Sequence, residues 1–360
     1  MITEPHPLTP YGWDAYFADR FTPYAAQSLV PGRIVRVDRG RCDVVVADGP
    51  YSRTLQAGTA HVTTGDPLNI MCTGDWAAID PAERQVRALL PRRTAFVRST
   101  SSKRSDGQVL AANVDRALIA VPLSADPDPG RVERFLTLAW ESGAEPAIVL
   151  TKADLVGPEV LGHLLADTRA VAPGARVLAV SAETGTGLDA LAAVLAGGTC
   201  ALLGVSGAGK STLANALAGA EIQQVQAIRD RDGKGRHTTT TRNLLLMPGG
   251  GVLIDTPGLR GVGLWDAHTG LTRTFADIEE LAAGCRFHDC AHDGEPGCAV
   301  RTAVDGGALT ERRLDSYRKL LRENRRLAAR TDARLRAEQR REWKRRQARG
   351  EEGARRKRGV

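Results

Sequence analysis

The chain has 360 residues, 42% of them hydrophobic and 25% charged, with 49 Lys and Arg against 42 Asp and Glu for a net charge of +7. That length suits two to three ordinary domains, and the apolar content excludes an intrinsically disordered chain. Six cysteines over this length, with no basic-then-apolar leader, speak against a disulfide-stapled secreted fold and point to a reducing cytoplasm.

Residues 1–28 carry scattered Pro and aromatic side chains and predict an irregular extension packed on the next domain. Residues 29–95 alternate with period two: Val35 and Val37 against Arg36 and Asp38, then Cys42, Val44 and Val46. Turns fall at Asp38-Arg39-Gly40 and Asp48-Gly49-Pro50, and the pattern predicts a small five-stranded β-barrel. Periodicity leaves an OB-like and an SH3-like barrel equally open. Arg33, Arg36, Arg39 and Arg41 add cationic positions that suit either RNA contact or a solvated sheet face.

An α/β domain is expected over residues 96–284. Pro146 to Leu150 reads as a buried strand that delivers Thr151-Lys152-Ala153-Asp154. A carboxylate there can accept from guanine's ring N–H and exocyclic amine, a donor pair that adenine lacks, so the wrong base leaves it desolvated and unpaired. A helix cap by Asp154 is the plainer reading of the motif alone. Val177 to Val180 form another apolar strand ending in Ser181-Ala182-Glu183, whose amides can contact guanine's carbonyl.

Gly204-Val205-Ser206-Gly207-Ala208-Gly209-Lys210-Ser211-Thr212 follows an apolar run and precedes a helical pattern. It matches the phosphate-cradling loop G-x-x-x-x-G-K-[ST]: glycines bring backbone N–H groups close to phosphate, Lys210 reaches the terminal phosphates and Ser211 ligates Mg²⁺. Further on, Thr239 in the run Thr238 to Thr241 can coordinate the same metal. Asp255-Thr256-Pro257-Gly258 closes a strand, so that Asp255 can hold Mg²⁺ through water and the Gly258 N–H can sense the terminal phosphate. The position after Gly258 is Leu259 rather than a water-orienting glutamine, so slow intrinsic turnover is expected. His237, beside the threonines, is the candidate for helping the attacking water.

Cys285, Cys290, His292 and Cys298 gather three thiols and an imidazole within fourteen residues, a soft-ligand set for a tetrahedral structural Zn²⁺; His288 lies in the same loop. Cys42, Cys72 and Cys200 sit on apolar patterns and are expected to be buried. Residues 311–360 hold 20 Lys and Arg against 8 Asp and Glu, a net of +12, leaving −5 on the other 310. Tyr317 to Arg349 contains no Gly or Pro and predicts a basic helix, with Leu320, Leu321 and Leu327 packing on the metal-binding segment. Residues 350–360 form a basic tail. Such a helix suits a phosphate backbone. No run is apolar enough to span a membrane: the least polar stretch, 188–205, includes Asp189, Thr199 and several glycines.

The motif order is unusual: Asp154 precedes Gly204 by 50 residues and Asp255 follows it by 51, whereas the base-reading motif commonly comes last. Read circularly, the order is normal. Together with Gly74-Asp75-Trp76, Leu90-Pro91-Arg92-Arg93-Thr94, Ala112-Asn113-Val114-Asp115 and Arg236-His237-Thr238-Thr239-Thr240, this resembles the ribosome small-subunit-dependent GTPase A family from about Gly32 to Leu321. The resemblance implies an OB-like barrel at 29–95, a circularly permuted GTPase domain at 96–284, and a zinc-binding helical domain at 285–349 with His292 as the fourth ligand. It implies a GTPase that binds the small ribosomal subunit and its rRNA late in maturation, is stimulated by it, and leaves after hydrolysis to GDP. A cytoplasmic monomer is expected. The readings left beside it are a P-loop ATPase or kinase and a nucleotide-gated RNA-binding assembly protein with little turnover.

Overall fold

The computed structural model describes residues 5–99, 107–219, 242–255 and 267–331. The N-terminal stretch is helical rather than irregular: α1 spans Ala15–Ala25, with Asp14 accepting the Phe17 amide at its start (3.2 Å). Phe17 and Phe21, one turn apart, bury one face of α1 with Leu8 and Trp13 against Trp76 and Val45 of the barrel. Sequence patterning does not reveal this helix because Pro23 sits inside it and its apolar stripe is short.

Five strands close the barrel: β1 Val30–Asp38, β2 Arg41–Asp48, β3 Tyr51–Gly58, β4 Trp76–Asp80 and β5 Gln85–Leu89. They run in the order β1-β2-β3-β5-β4, with β1 returning to pair with β4 and β3 lying parallel to β5. This closure is OB-like; an SH3-like meander would leave no parallel pair. Gly40 and Gly49, both at positive φ, make the two predicted hairpin turns.

A hairpin of β6 (Ala95–Ser99) and β7 (Gly107–Ala112) leads into a six-stranded sheet. Its strands are β8 Arg116–Pro122, β9 Glu145–Thr151, β10 Arg176–Val180, β11 Thr199–Leu203, β12 Asn243–Leu246 and β13 Val252–Asp255. Their order is β10-β9-β8-β11-β13-β12, parallel except for β12. Helices cover both faces, which is why β8, β9 and β11 read as unbroken apolar runs. One face meets α2 (Pro129–Ser142) and α3 (Pro158–Val171); the other meets α4 (Leu188–Leu195) and α5 (210–219). The C-terminal part adds α6 His268–Thr274, α7 Ala276–Ala282, α8 Ala299–Asp305 and α9 Glu311–Thr331. Helix α9 starts six residues before the predicted Tyr317. Leu320 joins the core shared with α2, flanked by Leu321 and Leu327.

Candidate nucleotide site, domain joint and metal centre

In a parallel sheet, loops at the carboxyl ends of the strands converge on one edge. Here the loop after β11 carries Gly204 to Gly209, the loop after β9 carries Thr151 to Asp154, and the loop after β10 carries Ser181 to Glu183. Gly204 must be glycine: its φ is +141° and a Cβ would lie 2.6 Å from the Ala120 carbonyl oxygen. Gly207 and Gly209 are also at positive φ, and α5 begins at Lys210. The Lys210 ammonium donates to the carbonyls of Gly204 (2.9 Å) and Val205 (2.6 Å) across the loop, which aims it over the cradle. Ser211 and Thr212, in the first turn of α5, are exposed.

Thr151, Lys152, Asp154, Ala182, Gly209 and Thr212 border one cavity of about 330 Å³, so the base-reading loop and the phosphate loop face the same space. Lys152 turns the chain through a left-handed conformation (φ +60°), and Ala153 is buried beneath the loop. The Ser181 hydroxyl donates to Asp154 Oδ1 at 2.5 Å and also accepts the Thr184 amide, so the β10 loop orients the carboxylate. The buried Thr151 hydroxyl donates to the carbonyl of Ala208 at 2.8 Å, tying the base-reading loop to the phosphate loop. Asparagine is the commoner residue at this position of the motif, and here the threonine supplies the tie. No local pattern could reveal the contact, because Ala208 lies 57 residues away.

Asp255 closes β13, which runs parallel to β11, so it ends at the same edge of the sheet as the strand that leads into the phosphate loop. His237, Thr239 and Gly258 lie outside the described residues.

The motifs at 74–76, 90–94 and 112–115 meet at one place, the joint between barrel and sheet. Asp75, fully buried, accepts Arg92 Nε (2.7 Å), Arg92 Nη2 (2.8 Å) and the Cys72 amide (2.8 Å). Asn113, at φ +55°, accepts the Arg93 amide (2.8 Å) and donates to the Gly74 carbonyl (3.0 Å). Arg33 is not a surface cation: it is 1% exposed, lies over the Trp76 ring and donates to the Asn113 carbonyl (3.1 Å) and Thr199 Oγ1 (3.2 Å). Burial pulls its guanidinium down to about 10, against the opposing pull of Asp115 and Asp75. Asp115 accepts the Thr199 amide at 2.7 Å, so the first residue of the strand leading to the phosphate loop is held from the joint. Thr73 also donates to the Arg242 carbonyl (3.1 Å), the first described residue after the threonine run. Arg36, by contrast, pairs with Asp38 on the sheet face.

The Cys285, Cys290, His292 and Cys298 donor atoms all lie within 4.8 Å of one another. His292 Nδ1 is 3.6 Å from Cys285 Sγ and 3.5 Å from Cys298 Sγ, and the latter sulfurs are 3.9 Å apart. A tetrahedron built on ordinary Zn–S and Zn–N bonds has edges of about 3.8 Å and 3.6 Å, so the three thiols and the imidazole fit zinc. Local geometry holds them: Cys298 caps α8, His292 sits at φ +59°, and the Glu295 carboxylate accepts the amides of Ala291 (3.0 Å) and Asp293 (2.7 Å). His288 is not among the four.

A model of the RsgA GTPase family matches residues 89–265. The small ribosomal subunit biogenesis GTPase RsgA of Streptomyces avermitilis is 65% identical over 357 residues, covering 98% of this chain and 95% of that protein. This chain belongs to the RsgA GTPase family. The same-named protein of Streptomyces coelicolor is 66% identical over 355 residues, covering 98% of this chain and 96% of the relative. The crystal structure of YjeQ from Thermotoga maritima superposes with a TM-score of 0.60 at 25% identity, covering 82% of this chain and 98% of that one. YloQ, a circularly permuted GTPase, superposes equally well at 22% identity over 82% of this chain and 95% of its own, which speaks to the fold. The permuted order expected from Asp154, Gly204 and Asp255 agrees with this shared fold. Among the described residues no helix is long and apolar enough to cross a membrane.

Proposed function

We propose that this RsgA-family chain hydrolyses GTP to GDP and phosphate as a maturation factor of the small ribosomal subunit, which stimulates turnover and from which hydrolysis releases it. The observation that carries the nucleotide reading is the shared cavity: Asp154, oriented by Ser181, and Gly209 face the same space, and Thr151 ties their loops together. Guanine would be read by Asp154 and the amides after Ser181, and its phosphates would be wrapped by residues 204 to 212. Mg²⁺ would be held by Ser211, with Thr239 and a water on Asp255, and Gly258 would sense the terminal phosphate. His237 is our candidate for steadying the attacking water. The subunit reading draws on the names of the Streptomyces relatives.

In this reading Zn²⁺ on Cys285, Cys290, His292 and Cys298 is structural, since four protein donors leave no open coordination position. The chain divides into an extension (1–28), an OB-like barrel (29–95), the GTPase domain (96–284), a zinc-binding helical domain (285–349) and a basic tail (350–360). The barrel and the basic C-terminal residues would meet rRNA, and the protein would act as a cytoplasmic monomer away from membranes.

The test is hydrolysis of GTP, with ATP in parallel, with and without purified small subunits. Stimulation confined to GTP supports the reading. GTP binding with no turnover in the presence of subunits would favour the nucleotide-gated RNA-binding alternative, and equal use of ATP would overturn the role of Asp154.

A further inference from the structure

Among the described residues, helix α6 is the next element after Asp255, and its leading amide is held from another part of the chain. The Ala267 N–H donates to Oδ1 of Asn324 on α9 at 2.8 Å. Both partners are buried, and α6 has no capping side chain of its own at this end. Asn324 thus satisfies a backbone donor that would otherwise lie buried and unpaired.

Around this contact α2, α6 and α9 interlock. A Cβ on Gly270 would lie 2.1 Å from the Thr137 carbonyl oxygen, so α6 presses directly on α2, and the Gly270 amide donates to Glu141 (2.7 Å). Helix α9 grips α2 through Glu133, which is fully buried and accepts from Arg312 and Arg313, and through Arg134 with Glu323, the neighbour of Asn324. Arg313 also reaches Asp277 and the Thr274 carbonyl, closing the triangle back to α6 and α7. The first turns of α2 and Val205 of the phosphate loop line one further cavity, so the interlocked body extends to the nucleotide edge.

We propose that Asn324 is a positioning residue for the subunit-stimulated rate of GTP hydrolysis alone: it fixes the return point of the chain segment that follows Asp255 relative to α9, the helix that leads into the basic residues 332–360. The proposal rests on the subunit-stimulated GTPase reading above. An RNA phosphate backbone attracted by those cations acts on α9, and the Asn324–Ala267 hydrogen bond hands that displacement to the chain twelve residues after Asp255. Subunit binding and the chemical step are therefore separable at this residue. Binding energy comes from the cations, and the gain in rate needs the hydrogen bond.

The experiment compares the full-length zinc-loaded protein with N324L, which keeps the branched side-chain shape and removes the acceptor, and with N324D, which keeps an acceptor oxygen at the same reach. Nucleotide affinity, unstimulated turnover, and turnover as a function of small-subunit concentration are measured for each. We expect N324L to keep the first two and the half-saturating subunit concentration, and to lose about tenfold in the stimulated kcat, with N324D recovering most of it. A variant that merely loosens the fold would lose affinity and basal turnover as well, and N324D would not rescue it selectively. Should N324L fail to fold, N324S is read instead, because its hydroxyl is too short to reach Ala267. Full stimulation of N324L or N324S beside a stimulated wild type overturns the proposal alone. A wild type that subunits do not stimulate overturns the functional reading, and this proposal with it.

Discussion

The hydroxyl of Thr151 lies 2.8 Å from the carbonyl oxygen of Ala208, joining the loop proposed to face the base to the loop proposed to wrap the phosphates. A nucleotide that touches both loops meets a cavity whose two walls are already fixed relative to each other, so less ordering is left to accompany binding.

Removing that hydroxyl leaves a buried carbonyl without its donor and frees one loop against the other. T151A and the isosteric T151V should both bind GTP and GDP about tenfold more weakly, from the roughly 1–3 kcal/mol cost of an unsatisfied buried group. The preference for guanine over adenine should survive, because Asp154 and Ser181 are untouched. Titration with fluorescent GTP, GDP and ATP analogues checks this; unchanged affinity in both variants would show the tie to be dispensable.

Glu133 is buried with two arginines directed at it, and Arg313 also spans to Asp277. E133A takes one of two carboxylate partners from the buried Arg313, which keeps Asp277, and takes from the more exposed Arg312 its one carboxylate partner among the described residues, and should lower the unfolding free energy by about 2–3 kcal/mol. Urea denaturation of the intact protein measures it. A loss below about 1 kcal/mol would mean that the arginines find water instead.

Five of the six cysteines should fall into two chemical classes. Burial pushes the Cys42 and Cys200 thiols up to about 12 from their ordinary value of 9.0, so both stay protonated and inert in the folded protein at pH 9. Folded thiols that hold their protons where unfolded ones release them contribute stability that is full below pH 9 and is lost as pH rises toward 12. Alkylation at pH 9 followed by mass spectrometry should leave both unlabelled until denaturant is added. Cys285, Cys290 and Cys298 should become labelled once zinc is chelated, with a fall in melting temperature. Labelling of Cys42 or Cys200 before unfolding would contradict the buried placement.

His237 is expected to matter for rate and not for affinity. H237A should lower subunit-stimulated turnover by about a hundredfold while nucleotide dissociation constants stay constant. Unchanged turnover would remove the imidazole from the reaction.

How much of this was legible in the chain depends on distance along it. The phosphate loop, Thr151 to Asp154, Ser181 and the metal donors are each short runs whose proposed roles rest on residue chemistry and covalent spacing, with the family resemblance choosing His292 over His288, and their circular order suggested the permuted sheet. Residues 29–95 showed a barrel by alternation but left its type open, since strand order depends on which edges meet, and only the parallel β3–β5 contact decided it. Arg33 read as a surface cation because alternation reports two faces and not what covers them. Tertiary packing placed it over the Trp76 ring and against Asn113 and Thr199, 80 and 166 residues away.

Local sequence therefore nominated the groups proposed to bind phosphate, guanine and zinc, because each set is built within one turn or loop. Tertiary structure alone decided how those sets are coupled. Thr151 with Ala208, Asn113 with Gly74 and Asn324 with Ala267 are single hydrogen bonds between distant segments, and Asp75 with Arg92 is a two-bond ion pair between two more. Such pairs leave no period or spacing in the chain, because the constraint that selects them is a buried polar group's need for a partner wherever the fold supplies one.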